Sequence, residues 1–422
     1  MYFYSIIKFR LGDDRVRHIY TSVDIGTDTT KVVVTELYKG KLNLLAASST
    51  KSEGIKKGLI TDVNKASLSL KKAISEVQEM LGFRIKKVLV NVPSYFADFS
   101  KIEGSIKIAE NEVISGEHIS KVLENAVSNS SFDKEIVSII PIDFCVDSQT
   151  GIKDPKGFTG NTLSVRAVAS LVPKKNIYSV VSLIDSIGLE VLDISLNGIG
   201  DINAFKNKEI DSKLGAVVNI GYETTNVSIC NKGIIIKNSI IGMGGKNIDN
   251  DLSYMYKIDL ALATRIKEKF AYAHRNYANK VEFYNVNETD KINQYEVTDV
   301  VMSRIEEILT LAKKEINLLA NRKMDYVIIT GGVSNMEGFS SICEDVFGKD
   351  VKLGTVNIIG IRNNKYSSAI GNVVYYINHL KLLGKINSAD NEIGRDLINV
   401  TEESMLSKVF GYFFGDTNEE EL

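Results

Sequence analysis

The stretch Val23-Asp24-Ile25-Gly26-Thr27-Asp28-Thr29-Thr30-Lys31-Val32 decides how this chain is read. A worn copy of it, Val218-Asn219-Ile220-Gly221-Tyr222-Glu223-Thr224-Thr225-Asn226-Val227, stands 195 residues further on with six of ten positions identical. β-Branched residues flank Asp24-Ile25-Gly26-Thr27 on both sides, which predicts two strands joined by a tight turn. A turn that returns together with its strands predicts a duplicated domain.

Outward from the first copy, Leu42 to Ala47 completes a meander. Val63, Ala66, Leu70, Ala73, Ile74, Val77 and Leu81 then recur at helical spacing, with Asp62 placed to cap the helix and Gly82 to end it. Lys87 to Pro93 reads as a buried strand. From there to about Arg166 the pattern changes to short strands around Ile106 and Ile139, a helix from Glu117 to Val127 and a turn-rich Gly151 to Gly157, which reads as a small insert. Outward from the second copy, helices are predicted at 247–256, 260–273 and 297–319, with a strand pair within 280–295. The strand Tyr326 to Thr330 runs into Gly331-Gly332, and periodicity lapses between Lys385 and Val400.

Composition narrows the function classes. The 422 residues are 44% hydrophobic and 25% charged, which suits a globular chain of two or more domains. Lys and Arg total 51 against 53 Asp and Glu, so the net charge of -2 gives no electrostatic reason to expect nucleic acid as a partner. Cys145, Cys230 and Cys343 stand far apart without ligand or redox spacing, as do His18, His118, His274 and His379, so metal catalysis has little support. No run reaches the roughly 20 apolar residues of a membrane-spanning helix. The apolar start from Met1 to Ile7 is interrupted by Lys8 and Arg10 and reads as an extra strand or a loose tail.

Gly and Thr at the tip of a β-turn can aim backbone N–H groups and hydroxyls at a phosphate, because Gly has no Cβ to block close approach. Asp24 at the strand end can hold Mg²⁺ through water, since that ion keeps several of its waters. One such turn alone reads first as a plain hairpin; two homologous turns can clamp a nucleotide's phosphates between two lobes. Gly331-Gly332-Val333-Ser334-Asn335-Met336-Glu337-Gly338 lets a purine and ribose approach backbone, or is only a helix-start turn.

These motifs, in this order, resemble the actin, sugar-kinase and heat-shock chaperone superfamily and, within it, the FtsA family of bacterial actin-like cell-division proteins. Gly54 to Asp62, Gly151 to Gly157, Gly244 to Asp251 and Ser367 to Gly371 match that family as well. The resemblance implies an α/β, actin-like two-lobed fold with duplicated ribonuclease-H-like domains and an inserted subdomain of the FtsA type. The expected boundaries are an extension at 1–18, a first lobe core at 19–86 and 166–195, and the insert at 87–165. A second lobe follows at 196–383, its outer subdomain at about 242–300, then a linker at 384–401.

The resemblance also implies ATP with Mg²⁺, self-assembly into filaments, and recognition of the C-terminal tail of the tubulin-like FtsZ. The residues it assigns to the nucleotide are Asp24, Gly26, Thr27, Thr29, Lys31, Gly221, Thr224, Thr225, Lys267, Gly331, Gly332, Val333 and Ser334, with Asp24 also serving the metal. Arg304 and Glu307 match positions that contact FtsZ; they read equally as surface charge on a helix. Four departures stand out. Asn219 replaces the usual Asp of the second turn, Tyr222 a Gly, and Thr264 a Glu beside the retained Lys267; Asn197-Gly198 takes the place of a Gln-Pro pair. Loss of the second carboxylate weakens metal positioning and water activation, so at most a weak ATPase is expected.

From Glu402 to Phe414, Met405, Leu406, Val409, Phe410, Phe413 and Phe414 recur at helical steps, and acidic residues follow to 422. Such a helix is about 20 Å long, too short to cross a bilayer but able to lie in its interface. A helix packed on its own domain or a partner is the other reading. With the resemblance, the tail implies a cytoplasmic protein peripheral to the inner face of the membrane at the division site. A small-molecule kinase of the same superfamily, or an actin-like protein of type IV pilus assembly, is the alternative.

Overall fold

The computed structural model describes residues 18–386 except 289, 357, 359, 361 and 362. Residues 1–17 of the extension expected at 1–18, most of the linker and the amphipathic segment at 402–414 lie outside the described residues, and His18 already belongs to the first strand.

The repeat is carried by two five-stranded sheets of one plan. In the first, His18–Ile25, Thr29–Tyr38 and Lys41–Lys51 form an antiparallel meander, and Lys87–Val92 and then Glu190–Leu196 add in parallel on the other side of the first strand. In the second, Leu214–Ile220, Thr225–Asn231 and Ile234–Ile241 form the meander, and Tyr326–Thr330 and Val351–Leu353 add in parallel. Parallel addition needs a crossover. Helix Val63–Leu81 supplies the first, its start capped by Asp62 and its end turned by left-handed Gly82; helix Gln294–Ala320 leads into Tyr326–Thr330 in the second.

Both faces of each sheet are covered, so side chains alternate between cores. Ala216, Val218 and Ile220 pack with the helices of the second lobe, whereas Val217 and Ile328 join a core continuous with Val23, Val90 and Leu196 of the first. Two helices make that continuity. Asn197–Ala204 leaves the first sheet and joins this shared core through Ile199 and Ile202, beside Val217 and Ile328 of the second sheet. Ser367–Leu382 runs the opposite way, and Val373, Tyr376 and Ile377 cover Tyr20, Leu37 and Leu89 of the first sheet. They cross at two glycines: a Cβ on Gly371 would lie 1.6 Å from the Gly200 carbonyl oxygen.

The insert is a four-stranded antiparallel sheet in the order Asp98–Lys107, Thr162–Val172, Glu135–Val146, Gln149–Ile152, covered by Ile119, Val122 and Leu123 of helix Gly116–Ser128. Its strands therefore run from 98 to 172, not from 87 to 165. Lys87–Val92 is buried almost throughout and belongs to the first sheet, while Thr162–Val172 pairs with two strands of the insert. The strands expected as short pieces near Ile106 and Ile139 are 10 and 12 residues long. The helix expected at 260–273 stops at Lys269, and Ser367–Leu382, expected within the second lobe, packs on the first.

Candidate functional site

The two homologous turns close alike. Gly26 N–H donates to the Thr29 carbonyl at 3.2 Å, and Gly221 N–H to the Thr224 carbonyl at 2.9 Å. Asp24 pairs across its hairpin with Lys31 and Asn219 with Asn226, so the two strand-end residues occupy equivalent places. Lys31 Nζ donates to Asp24 Oδ2 at 2.8 Å, and Thr27 Oγ1 accepts from Gly58 N–H at 2.8 Å. Thr225 is fully buried and its hydroxyl is spent on the Met243 carbonyl at 2.9 Å, so it anchors the entry to helix Gly245–Tyr256. That entry is docked on the second turn by Gly245 N–H to the Gly221 carbonyl and Lys246 N–H to the Tyr222 carbonyl.

The third turn leaves the strand beside Asn219. Gly331 has φ +100 and backs directly onto Ile220, a conformation and an approach that a side chain would oppose. Nothing lies within 4 Å of the point where a Cβ on Gly332 would sit. Ser334 Oγ donates to the Gly331 carbonyl at 2.8 Å, and Val333 is buried in the second lobe's core. Both residues therefore shape the turn from within.

Sequence reasoning missed Asp201. It lies on the crossing helix Asn197–Ala204, 1% exposed, and both its oxygens accept from Asn219 Nδ2 at 2.9 Å. Ser368 Oγ donates to its Oδ1 at 2.6 Å and Ser367 Oγ at 3.2 Å. Burial pushes the carboxyl up to about 6 against these hydrogen bonds, and the charge of Asp24 pushes the same way. The signal available in the sequence was a lone acid within the small, apolar Asn197-Gly198-Ile199-Gly200-Asp201-Ile202, which demands a buried partner.

Cations gather between the lobes. Burial, and then the neighbouring charge of Lys31, hold the Lys365 ammonium below the usual lysine range. The Tyr222 ring stands between Lys51 of the first lobe, 5.4 Å from its centroid, and Lys267 of the second, at 5.6 Å. Lys267 Nζ pairs with the buried Asp249 at 2.6 Å, and Thr264 Oγ1 donates to the other oxygen of that carboxylate at 2.8 Å. Glu223 accepts from Lys57 N–H at 2.6 Å, which ties the second turn to the first lobe, and pairs with Lys246. Lysines on both lobes around the Tyr222 ring, with an open glycine edge at Gly332, suit a polyphosphate and a base. Among the described residues no group of three or more His, Cys, Asp or Glu could hold a metal. A Mg²⁺ carried on phosphates and waters needs no such cage.

Arg304 and Glu307 lie apart from the turns, on Gln294–Ala320. Arg304 is forked onto Asp251, with Nε to Oδ2 at 2.5 Å and Nη2 to Oδ1 at 2.9 Å, and also pairs with Glu307. Nearby on the helix that carries Asp251, Tyr254 and Met255 are exposed. A cavity of about 900 Å³ sits elsewhere, between Lys41, Phe205 and Lys352, and none of the turn residues lines it.

Residues 216–371 match the family model described as cell division protein FtsA, and residues 98–169 match the SHS2 domain inserted in FtsA. The chain is 28% identical over 376 residues to the cell division protein FtsA of Bacillus subtilis (strain 168), covering 87% of this chain and 85% of that protein. It is 29% identical over 362 residues to the FtsA of Streptococcus pneumoniae serotype 2, covering 83% and 78%. Among solved structures, a PilM-PilN type IV pilus biogenesis complex aligns with a TM-score of 0.58 at 14% identity over 84% of this chain and 98% of that one. MreB5 of Spiroplasma citri bound to ADP aligns with a TM-score of 0.52 at 14% identity over 87% and 98%. At such identity these two likenesses carry the fold alone, and the fold is actin-like.

Proposed function

The chain belongs to the FtsA family of actin-like cell-division proteins, and from that premise we propose that it binds ATP with Mg²⁺ between its lobes, polymerises, and tethers the FtsZ ring to the inner face of the cell membrane during septum formation. The observation that carries the nucleotide reading is the pair of homologous turns with matched register and closure, with Lys31 on the first hairpin and Lys267 over the Tyr222 ring of the second turn. Gly26 and Gly221 let the phosphates approach the two turns, and Thr27 and Thr29 bring hydroxyls to the first.

Asp24 would hold the metal, which supplies charge neutralisation on the phosphates when bound. Its ion pair with Lys31 would have to open for that, which would leave Lys31 for a phosphate oxygen. Gly332 leaves room for the nucleoside, and Gly331 makes the turn that presents it. Asn219 carries no charge with which to activate water, so hydrolysis is assigned a minor place. MreB5 of Spiroplasma citri has been solved with ADP and with AMPPNP, which supports nucleotide binding as a property this fold can have.

For the partner reading, the Arg304 fork and the exposed Tyr254 and Met255 offer a tail a cation and apolar contacts on one outer face. Calorimetric titration with ATP tests the nucleotide reading. The wild type should bind in the presence of Mg²⁺ and Asp24→Ala should lose that Mg²⁺-dependent binding; equal affinities would overturn the assignment. A peptide of the FtsZ C-terminus titrated into Arg304→Ala tests the partner face in the same way.

A further inference from the structure

At the second turn the superfamily's carboxylate is missing, yet one stands 2.9 Å away on another element: Asp201, whose two oxygens both accept from the amide of Asn219. The rest of its environment is as definite. Ser367 and Ser368, at the start of helix Ser367–Leu382, donate to Oδ1, and the Thr330 hydroxyl, one residue before Gly331, donates to Ser367 Oγ at 3.2 Å. Asp201 thus touches the root of the second turn, reaches the root of the third through Ser367, and feels the charge of Asp24 at the first. The close crossing at Gly200 and Gly371 brings Asp201 to Ser368, since a Cβ on Gly200 would itself lie 2.5 Å from the Ser368 carbonyl.

The consequence for Asn219 follows from its donor and acceptor inventory. With Nδ2 held by Asp201, Oδ1 faces the third turn, where it lies 2.6 Å from the point a Cβ on Gly331 would occupy. Were Asp201 an amide with its oxygen at the place of Oδ1, that oxygen would still accept from the two serines and from Asn219 Nδ2, but its NH₂ at the place of Oδ2 would stand 2.9 Å from the NH₂ of Asn219. One of the two bonds that hold the Asn219 amide would become a donor–donor contact, which favours turning that amide over so that N–H stands where oxygen now does.

We propose that Asp201 is a positioning residue for the nucleotide site: it takes over the charge missing from position 219 and locks the Asn219 amide with its oxygen toward the Gly331 turn, as an acceptor for metal-bound water. This rests on the nucleotide reading above. It also makes position 219 intolerant of the residue its relatives in the superfamily use. Asn219→Asp alone sets two carboxylates face to face in a buried place near Asp24, whereas Asp201→Asn with Asn219→Asp restores one acceptor and one donor.

The experiment is a double-mutant cycle on the full chain, read two ways. ATP affinity is measured with Mg²⁺ and in EDTA, and melting temperature is measured without nucleotide. Asp201→Asn should lower the ratio of Mg²⁺ to EDTA affinity about fivefold, the size of one oriented hydrogen bond, while EDTA binding persists. Asn219→Asp should lower the melting temperature, and the double variant should return both readings to near wild type. If Asp201→Asn does not fold, Asn219→Ala, which leaves Asp201 both serine partners, should lower the ratio in the same way. A wild type that binds no ATP overturns the nucleotide reading and this inference with it. A wild type that binds ATP, with an unchanged ratio in these variants or a double variant no better than its worse single, overturns this inference alone.

Discussion

Asp193 is the second buried carboxylate of the chain's middle, 6% exposed on Glu190–Leu196, where the pairing with Lys87–Val92 slips by a bulge. Burial pushes its carboxyl up to about 7, with only the Ile194 N–H working against it. The folded chain therefore holds this proton more tightly than the unfolded chain, whose value is about 3.9. The contribution is favourable below about pH 4 and is lost as pH rises through about 7. At about 1.4 kcal/mol for each tenfold change in proton affinity, the loss is roughly 2–4 kcal/mol. Urea denaturation at intervals from pH 4 to 8 should find wild-type stability falling over that window, and Asp193→Asn should flatten the fall. A parallel fall in the variant would assign the proton to another group. At this scale the sequence was legible where a residue's role is local, as for Asp62 capping its helix through Lys65 N–H at 3.1 Å. It was silent on Asp201, because the partners of Asp201 lie 18 to 167 positions away and only the fold brings them together.

The two turns were the most legible elements, because a tight turn declares itself in Gly and Thr and a copy at a fixed offset cannot be read as coincidence. What the turns touch was not legible. Tyr222, in the place of a glycine, became a bridge between Lys51 and Lys267, and Glu223 a tie to Lys57, contacts that depend on how the lobes meet. Glycines separate the two kinds of constraint. Gly371→Ala drives a methyl into the Gly200 carbonyl and should cost about 3 kcal/mol, at the upper end for overpacking, because backbone and not a flexible side chain must move. Gly332→Ala meets nothing within 4 Å, so stability should change by less than about 0.5 kcal/mol. Its methyl would instead enter the space assigned to the nucleoside, and ATP affinity should fall about tenfold, a loss of about 1.4 kcal/mol. Denaturation and calorimetry on this pair should give opposite rankings; a Gly332→Ala that binds ATP normally would move the nucleoside elsewhere.

Across the whole molecule, the path of the chain out of the second crossing helix matters for attachment. Ser367–Leu382 ends against the insert: Leu383 packs in the insert's core, Lys156 Nζ donates to the Lys381 carbonyl, and Gly116 leaves room for the Leu383 carbonyl. The chain at 381–384 is thus fixed to the insert, Ile386 packs with Tyr20 and Tyr376 on the first sheet, and the rest of the linker and the apolar 402–414 segment follow in sequence. No helix among the described residues is long and apolar enough to cross a membrane. For attachment to a bilayer, the apolar periodicity of Met405, Leu406, Val409, Phe410, Phe413 and Phe414 is the place to look. Six such side chains, half buried in an interface, supply roughly 5–10 kcal/mol gross, before the cost of ordering them. Lys408 is outnumbered by acidic neighbours, so anionic lipid should add little. Binding should then be reversible for a single chain and strengthened by avidity when chains polymerise. In flotation with phosphatidylcholine vesicles, the full chain should rise with the lipid, more so with ATP, and a chain lacking 402–414 should stay behind. Adding phosphatidylserine should shift the full chain by less than about twofold, because one lysine contributes about 1 kcal/mol at most and the surrounding carboxylates oppose it. Equal flotation with and without the segment would place the attachment elsewhere in the chain.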